Sequence, residues 1–313
     1  MNIILSKPKD LTTSSTSRIE DLLNRFIISQ DVKQSSKSLY KRTLKRFFSW
    51  IRENNYKLPD ISRPEIIKYK EDLLASDKSS LTVGSYITSV RKFYEWAEAN
   101  KLYPNIAKGI KTPKRKQQFR KQPLTPIQAK ELLNFYRTGA LRNYAIVNLL
   151  LRTGLRTIEV VRANIGDIVF KGTRRVLLIQ GKGRDEKDNF VILTDKTFKP
   201  IGDYLSERGE TDSSEPLFSS TSNNSKGERL TTRTISKIAK EGLKGIGLDN
   251  KLFTAHSLRH TTAVSILRAG GSLEEVQGVL RHSNPSTTQI YTATIKEELR
   301  LKNAPEGLLD GVF

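Results

Sequence analysis

Apolar residues recur at helical spacing through most of the first hundred positions. Ile19, Leu22, Leu23, Phe26 and Ile27 form one run behind Ser17-x-x-Glu20, which reads as a capping box. Leu39, Thr43, Leu44, Phe47 and Ile51 form a second, opened by Ser35 or Ser36. The opposite face of that helix carries Lys37, Lys41, Arg42, Lys45 and Arg46. Pro64 suits the first turn of a third helix running through Ile66, Ile67, Leu73 and Leu74. Ser79 or Ser80 opens a fourth, with Val83, Tyr86, Ile87, Val90, Phe93, Tyr94 and Ala97 on one side. The pattern predicts a small all-helical domain over residues 17–103. A polar leader, 1–16, precedes it and is expected to be mobile.

The periodicity stops at 104–123. Pro104, Pro113 and Pro123 punctuate this stretch, and Lys108, Lys111, Lys114, Arg115, Lys116, Arg120 and Lys121 fill it without a single acid. It reads as a basic linker. A second domain, 124–313, then alternates between the two periods. Thr125-x-x-Gln128 caps a helix whose inward face is read as Ile127, Leu132, Leu133 and Tyr136, and Leu141–Arg152 makes another. Gly154 ends that helix, and Arg156 stands at the start of the next. Ile165–Phe170, Arg175–Gln180 and Asn189–Leu193 alternate as strands. Helices follow over 195–208 and 231–245, separated by a polar surface loop at 209–229. The fold class is therefore an α-helical N-terminal domain followed by a mixed α/β, mainly helical domain with a small antiparallel sheet.

Composition narrows the partner. The 313 residues carry 54 Lys and Arg against 33 Asp and Glu, a net charge of +21. That excess points to a polyanion, most simply nucleic acid. No apolar run reaches a membrane-spanning length, and Ile3-Ile4-Leu5 is too short for the core of a signal peptide. With no cysteine in the chain, a disulfide framework is excluded and a cytoplasmic location is expected. The basic face bearing Lys41, Arg42 and Lys45, together with linker residues Lys114, Arg115, Lys116, Arg120 and Lys121, is nominated for DNA contact.

Candidate chemistry concentrates near the C-terminus. All three histidines lie in H-S-L-R-H at 256–260 and L-R-H-S at 280–283, and Tyr291 follows in Q-I-Y-T. Arginine clamps phosphate, histidine moves protons near neutrality, and a tyrosine hydroxyl can attack phosphorus. His256 and Arg259 share the first turn of a helix, where free N–H groups favour an anion. A zinc site at His256 and His260 is rejected, because no cysteine or intervening glutamate completes it and Arg259 would repel the cation. His260 shares a face with Ala263, Val264 and Leu267, and is read as a packing residue. Gly181-Lys182-Gly183 marks a hairpin tip and lacks the full phosphate-loop pattern.

Taken together, T-G-L-R at 153–156, G-K-G at 181–183, H-S-L-R-H, L-R-H-S and Tyr291 resemble the tyrosine recombinases, the phage-integrase and Xer-like family, over about residues 17–295. One departure is Arg281, where the family usually has glycine. Another is the acidic hairpin G-K-G-R-D-E-K, in which Lys187 rivals Lys182. The resemblance implies a C-shaped clamp around double-stranded DNA bearing paired recombination sites. It implies that Tyr291 attacks a scissile phosphate to give a 3′-phosphotyrosyl link, with no metal or other cofactor. Arg156, Arg259 and His282 would stabilise the transition state, His256 would assist proton transfer, and Lys182 would protonate the leaving 5′-oxygen. It further implies a tetramer on DNA. The apolar residues of the tail, Leu299, Leu301, Leu308, Leu309, Val312 and Phe313, are expected to dock on a neighbouring subunit. The alternatives are a type IB topoisomerase-like relaxing enzyme and a non-catalytic DNA-binding protein.

Overall fold

Capping side chains and buried stripes delimit the helices of a computed structural model that describes residues 15–76, 78–114, 121–181, 184–209, 212–282, 284, 288–291, 295–296, 300, 307 and 310–311. The chain divides into two compact units, Met1–Lys116 and Gln117–Phe313.

In the first unit α1 (Ser15–Ser29), α2 (Gln34–Glu53), α3 (Arg63–Ala75) and α4 (Ser80–Ala99) surround an aromatic core. Helix α4 starts where the Ser79 hydroxyl accepts from the Thr82 amide at 3.2 Å. Phe47 lies 4.9 Å from Tyr69 and Phe26 lies 5.7 Å from Phe93, centroid to centroid. Such ring pairs add packing energy beyond their buried area. Trp50 is buried and donates its indole N–H to Asp72 at 2.8 Å; Trp96 packs on Phe26 and Phe93. Thr43, the one polar residue in the inward stripe of α2, has its hydroxyl oxygen 2.8 Å from Leu39 O and 2.7 Å from Ser89 Oγ, so its single hydrogen and its lone pairs find partners on burial.

Two expectations change here. Helix α1 already includes Ser15 and Thr16, so Ser17 is inside the helix rather than at its cap. The remainder of the leader, 1–14, lies outside the described residues. The first half of the stretch read as linker is packed, since Ala107 and Ile110 are buried in the aromatic core. Two apolar residues among lysines show no period, and only the tertiary structure shows where they go.

The second unit is built around α6 (Leu141–Thr153), which buries Ala145, Ile146, Val147, Leu149, Leu150 and Leu151 and is therefore apolar on nearly every side. Helices α5 (Pro126–Arg137), α8 (Asp195–Arg208), α9 (Thr232–Gly245) and α10 (Ala255–Arg268) sheathe it. A three-stranded antiparallel sheet, β1 (Ile168–Lys171), β2 (Arg174–Ile179) and β3 (Asn189–Ile192), has the order β1-β2-β3. Its register pairs Ile168 with Leu177 and Leu177 with Val191, which puts these three on one face; Leu177 and Val191 are buried. Short α7 (Thr157–Arg162) and α11 (Leu273–Leu280) complete the unit.

Here, too, the sequence reading needs correction. Ile127 is 71% exposed, so α5 buries Leu132 and Tyr136, with Ala129 and Leu133 partly buried beside them. The loop at 209–229 is anchored by buried Leu217 and Phe218, and the Leu217 amide donates to Ala163 O at 2.9 Å. The first strand starts at Ile168 because Asp167 accepts from the Asn164 amide and closes a 3-10 turn over 165–167. Among the described residues no helix is long and apolar enough to cross a membrane.

Candidate active site

Four helix ends of the second unit meet at one place. Helix α6 ends on Gly154, which is left-handed at φ 61°, and a Cβ there would stand 2.6 Å from the Leu280 side chain at the end of α11. Both the positive φ and this close approach require glycine. Two residues on, Arg156 is the N-cap of α7. Glu159 is 1% exposed and fixes it twice: the Arg156 amide donates to Oε2 at 2.7 Å and the guanidinium donates to Oε1 at 2.9 Å.

Helix α10 contributes three side chains, Arg259, His260 and His256. Arg259 is 2% exposed and points between the ends of α6 and α11, donating to Gly154 O and Leu280 O. These carbonyls have no partner within their own helices, and the guanidinium fork supplies one to each. His260 Nδ1 is 2.6 Å from the Tyr291 hydroxyl. His256 is exposed and packs edge-on against His260, with ring centroids 4.5 Å apart. Tyr291 lies in a helical turn over 288–291 and is only 2% exposed. His282 stacks parallel to its ring at 6.5 Å, and Nδ1 of His282 is 2.9 Å from Thr288 Oγ1.

Arg156, His256, Arg259, His282 and Tyr291 thus converge. His260 is a correction: rather than merely packing, it is hydrogen-bonded to the tyrosine oxygen. Its apolar neighbours on α10 suggested burial, and nothing local revealed a partner 31 residues away. Lys182 lies outside the described residues, as do Arg115, Lys116 and Arg120. Lys187, the rival to Lys182, is held by both oxygens of Asp167 at 2.6 and 2.7 Å. Lys41, Arg42, Lys45 and Lys114 are exposed, the first three on the outward face of α2.

An open groove of about 1180 Å³ runs from this cluster along α9. Lys121, Arg156, Arg233, Lys237, Lys240, Lys251, His256 and Arg259 line it, with Asp249 the one acid. Arg233, Lys237 and Lys240 were not nominated from sequence, although their spacing of four and three places them on one face of α9. Of the linker lysines, Lys121 belongs to the groove wall and donates to Lys251 O. Among the described residues no group of three or more His, Asp and Glu could hold a metal ion.

Comparison with known proteins fits this geometry. A model of the phage integrase family matches residues 122–298, more than half of the chain. The chain belongs to the phage integrase family of tyrosine recombinases. A second model, for the N-terminal SAM-like domain of phage integrases, matches residues 19–101 of this recombinase. Tyrosine recombinase XerD of Oceanobacillus iheyensis is 30% identical over 298 residues, covering 90% of this chain and 95% of that one. Tyrosine recombinase XerC of Leptospira interrogans is 29% identical over 300 residues, 94% of each chain. The recombinase also shares its fold with the XerH site-specific recombinase, solved bound to a palindromic difH substrate after cleavage. That TM-score is 0.73 at 20% identity, covering 93% of this chain and 85% of that one.

The recombinase keeps its histidines neutral. Burial, then the charges of His256, Arg259 and His282, brings His260 down to about 3. Burial, then Arg259 and the other nearby cations, brings His282 down to about 4. His256 is also lowered: its ring is exposed by area but sits in a concave wall, and this desolvation acts before the charges of Arg259, Arg156 and Lys121. Burial raises the Tyr291 phenol to about 12 against the opposing pull of Arg259 and Arg156. The unfolded chain therefore binds protons, between about pH 6.5 and 4, that the folded site refuses. Stability should be fully present above pH 6.5 and decline through that window. Thermal unfolding of the protein without DNA, followed from pH 7 to 4, measures this. His260→Asn should flatten the slope, and an unchanged slope would show that His260 is not a source of it.

Proposed function

We propose that this tyrosine recombinase cuts and rejoins paired DNA sites with Tyr291 as its nucleophile. The observation that supports this most directly is the Tyr291 oxygen, hydrogen-bonded to His260, whose ring packs on His256 of the cationic groove wall, with His282 stacked on the tyrosine ring. The phenol oxygen attacks the scissile phosphorus, the P–O5′ bond breaks, and a 3′-phosphotyrosyl link forms. Arg156, Arg259 and His282 stabilise the added negative charge, which fixed donors do at no reorganisation cost. The phenolic proton leaves through His260, the ring in reach of the oxygen, assisted by His256. Lys182 supplies a proton to the leaving 5′-oxygen. Attack by the 5′-hydroxyl of another strand reverses each transfer, so bond energy is conserved.

DNA binding is assigned to the groove and to Lys41, Arg42, Lys45, Lys114, Arg115, Lys116, Arg120 and Lys121. The working assembly is a tetramer on DNA, with the tail of each subunit docked on its neighbour. Most of that tail lies outside the described residues. The expected location is the cytoplasm.

Incubation with a nicked half-site, from which the short 5′-hydroxyl strand diffuses away, should trap a covalent protein–DNA adduct. The adduct should form in excess EDTA, and strand exchange should need two sites. Relaxation of plasmids without such sites would identify a topoisomerase, whereas binding without any adduct would identify a non-catalytic DNA-binding protein.

A further inference from the structure

Arg281 occupies an unusual position. It is the C-cap of α11 in the left-handed conformation, φ 55° and ψ 46°, a place that favours glycine. Nevertheless its side chain is 8% exposed. One guanidinium nitrogen donates to Val279 O at 2.6 Å and the other to Glu159 Oε2 at 2.9 Å. Nε is buried with no hydrogen-bond partner among the described residues. Strained backbone, a desolvated cation and an unpaired donor are all unfavourable, so the contact with Glu159 must offset them.

Glu159 explains why. It is the residue that orients Arg156, but a carboxylate 2.9 Å from a guanidinium also cancels that guanidinium's charge as felt by a phosphate. An Arg156–Glu159 pair is neutral as a whole. With Arg281 bound to the same carboxylate the trio, of which Glu159 and Arg281 are buried and Arg156 partly exposed, carries a net positive charge. Burial by itself would push the Glu159 carboxyl up, but the charge of Arg281, and after it the hydrogen bonds and charge of Arg156, hold it below the usual carboxylate range. The carboxylate is thus shared between the two arginines. The preceding residue, Leu280, supplies the carbonyl that receives Arg259, so the backbone carrying Arg281 is tied to the second arginine as well.

We propose that Arg281 is a positioning residue of the active site: it neutralises Glu159, so that this carboxylate can fix Arg156 without cancelling its charge toward the scissile phosphate. The proposal rests on the reading of Arg156 as a phosphate ligand.

A double-mutant cycle tests it, with the single-turnover rate of adduct formation on a nicked half-site as the readout. R281G relaxes the backbone and removes the charge, and should slow adduct formation on the order of tenfold. Glu159→Gln keeps an acceptor for the Arg156 amide but abolishes the negative charge. In that background R281G should cost less than about twofold, because there is no charge left to neutralise. Arg281→Lys, which retains a cation, should lose less than Arg281→Gln in the wild-type background. This second pair reads the same effect if R281G does not fold. A purely structural clamp predicts equal losses in both backgrounds, with the melting temperature falling in parallel; that result, or no loss in either, overturns the proposal. Arg156→Ala separates the two readings. If it abolishes adduct formation while the cycle shows no coupling, only the role of Arg281 fails. If it leaves adduct formation intact, the role of Arg156 fails and the inference falls with it.

Discussion

Tyr291→Phe is expected to bring covalent adduct formation below detection while changing the affinity for the half-site less than about twofold. Phenylalanine fills the same volume, and at 2% exposure the ring is already packed among its neighbours. The substitution removes one oxygen and one hydrogen bond to His260. A buried hydrogen bond of this kind contributes about 1 kcal/mol, so the fold survives. The nucleophile does not, because no other atom of the side chain can attack phosphorus. Denaturing electrophoresis of the half-site reaction measures the adduct, and mobility shift measures binding. A phenylalanine variant that still forms the adduct would mean that a different residue attacks.

Arg259→Lys should slow adduct formation by about 10²–10³-fold while leaving a folded protein. Charge is conserved, but the fork is not. The guanidinium of Arg259 reaches Gly154 O and Leu280 O together, and an ammonium on a thinner stem cannot serve both with the same geometry. Arg259→Ala should be worse in both respects. It would leave two carbonyls at helix ends without donors and a cavity between them, a loss of about 3–5 kcal/mol on the scale of broken buried polar networks. Melting temperature and adduct kinetics, taken on both variants, separate the two contributions. A lysine variant within tenfold of wild type would reduce Arg259 to a structural strut.

The elements were legible where several apolar residues agreed on a period and a capping side chain marked the start. Helix α4 with Ser79 and α5 with Thr125 are of this kind, and both caps are formed in the structure. Ala107, Ile110, Leu217 and Phe218 were missed for the opposite reason: isolated apolar residues in polar surroundings carry no periodic signal, yet all four are buried. The candidate site was legible as a string of residue types in order. Its interior was less so. Glu159 and Arg281 are 122 positions apart, and Arg259 and Gly154 are 105 apart. No local pattern encodes such contacts; they arise only because α6, α7, α10 and α11 bring their ends together. For the same reason the helix at 231–245 was legible, but not that Arg233, Lys237 and Lys240 on it border the groove holding Arg156 and Arg259.

The aromatic core of the first unit has a practical consequence. Both tryptophans of the chain, Trp50 and Trp96, reside there, and residues 117–313 contain none. Emission excited at the red edge of the indole band therefore reports on the SAM-like unit alone. Unfolding of the unit that holds Tyr291 is silent in that channel and visible in far-ultraviolet dichroism. Two melting curves recorded on one sample can thus assign a stability change to one unit or the other without cutting the chain.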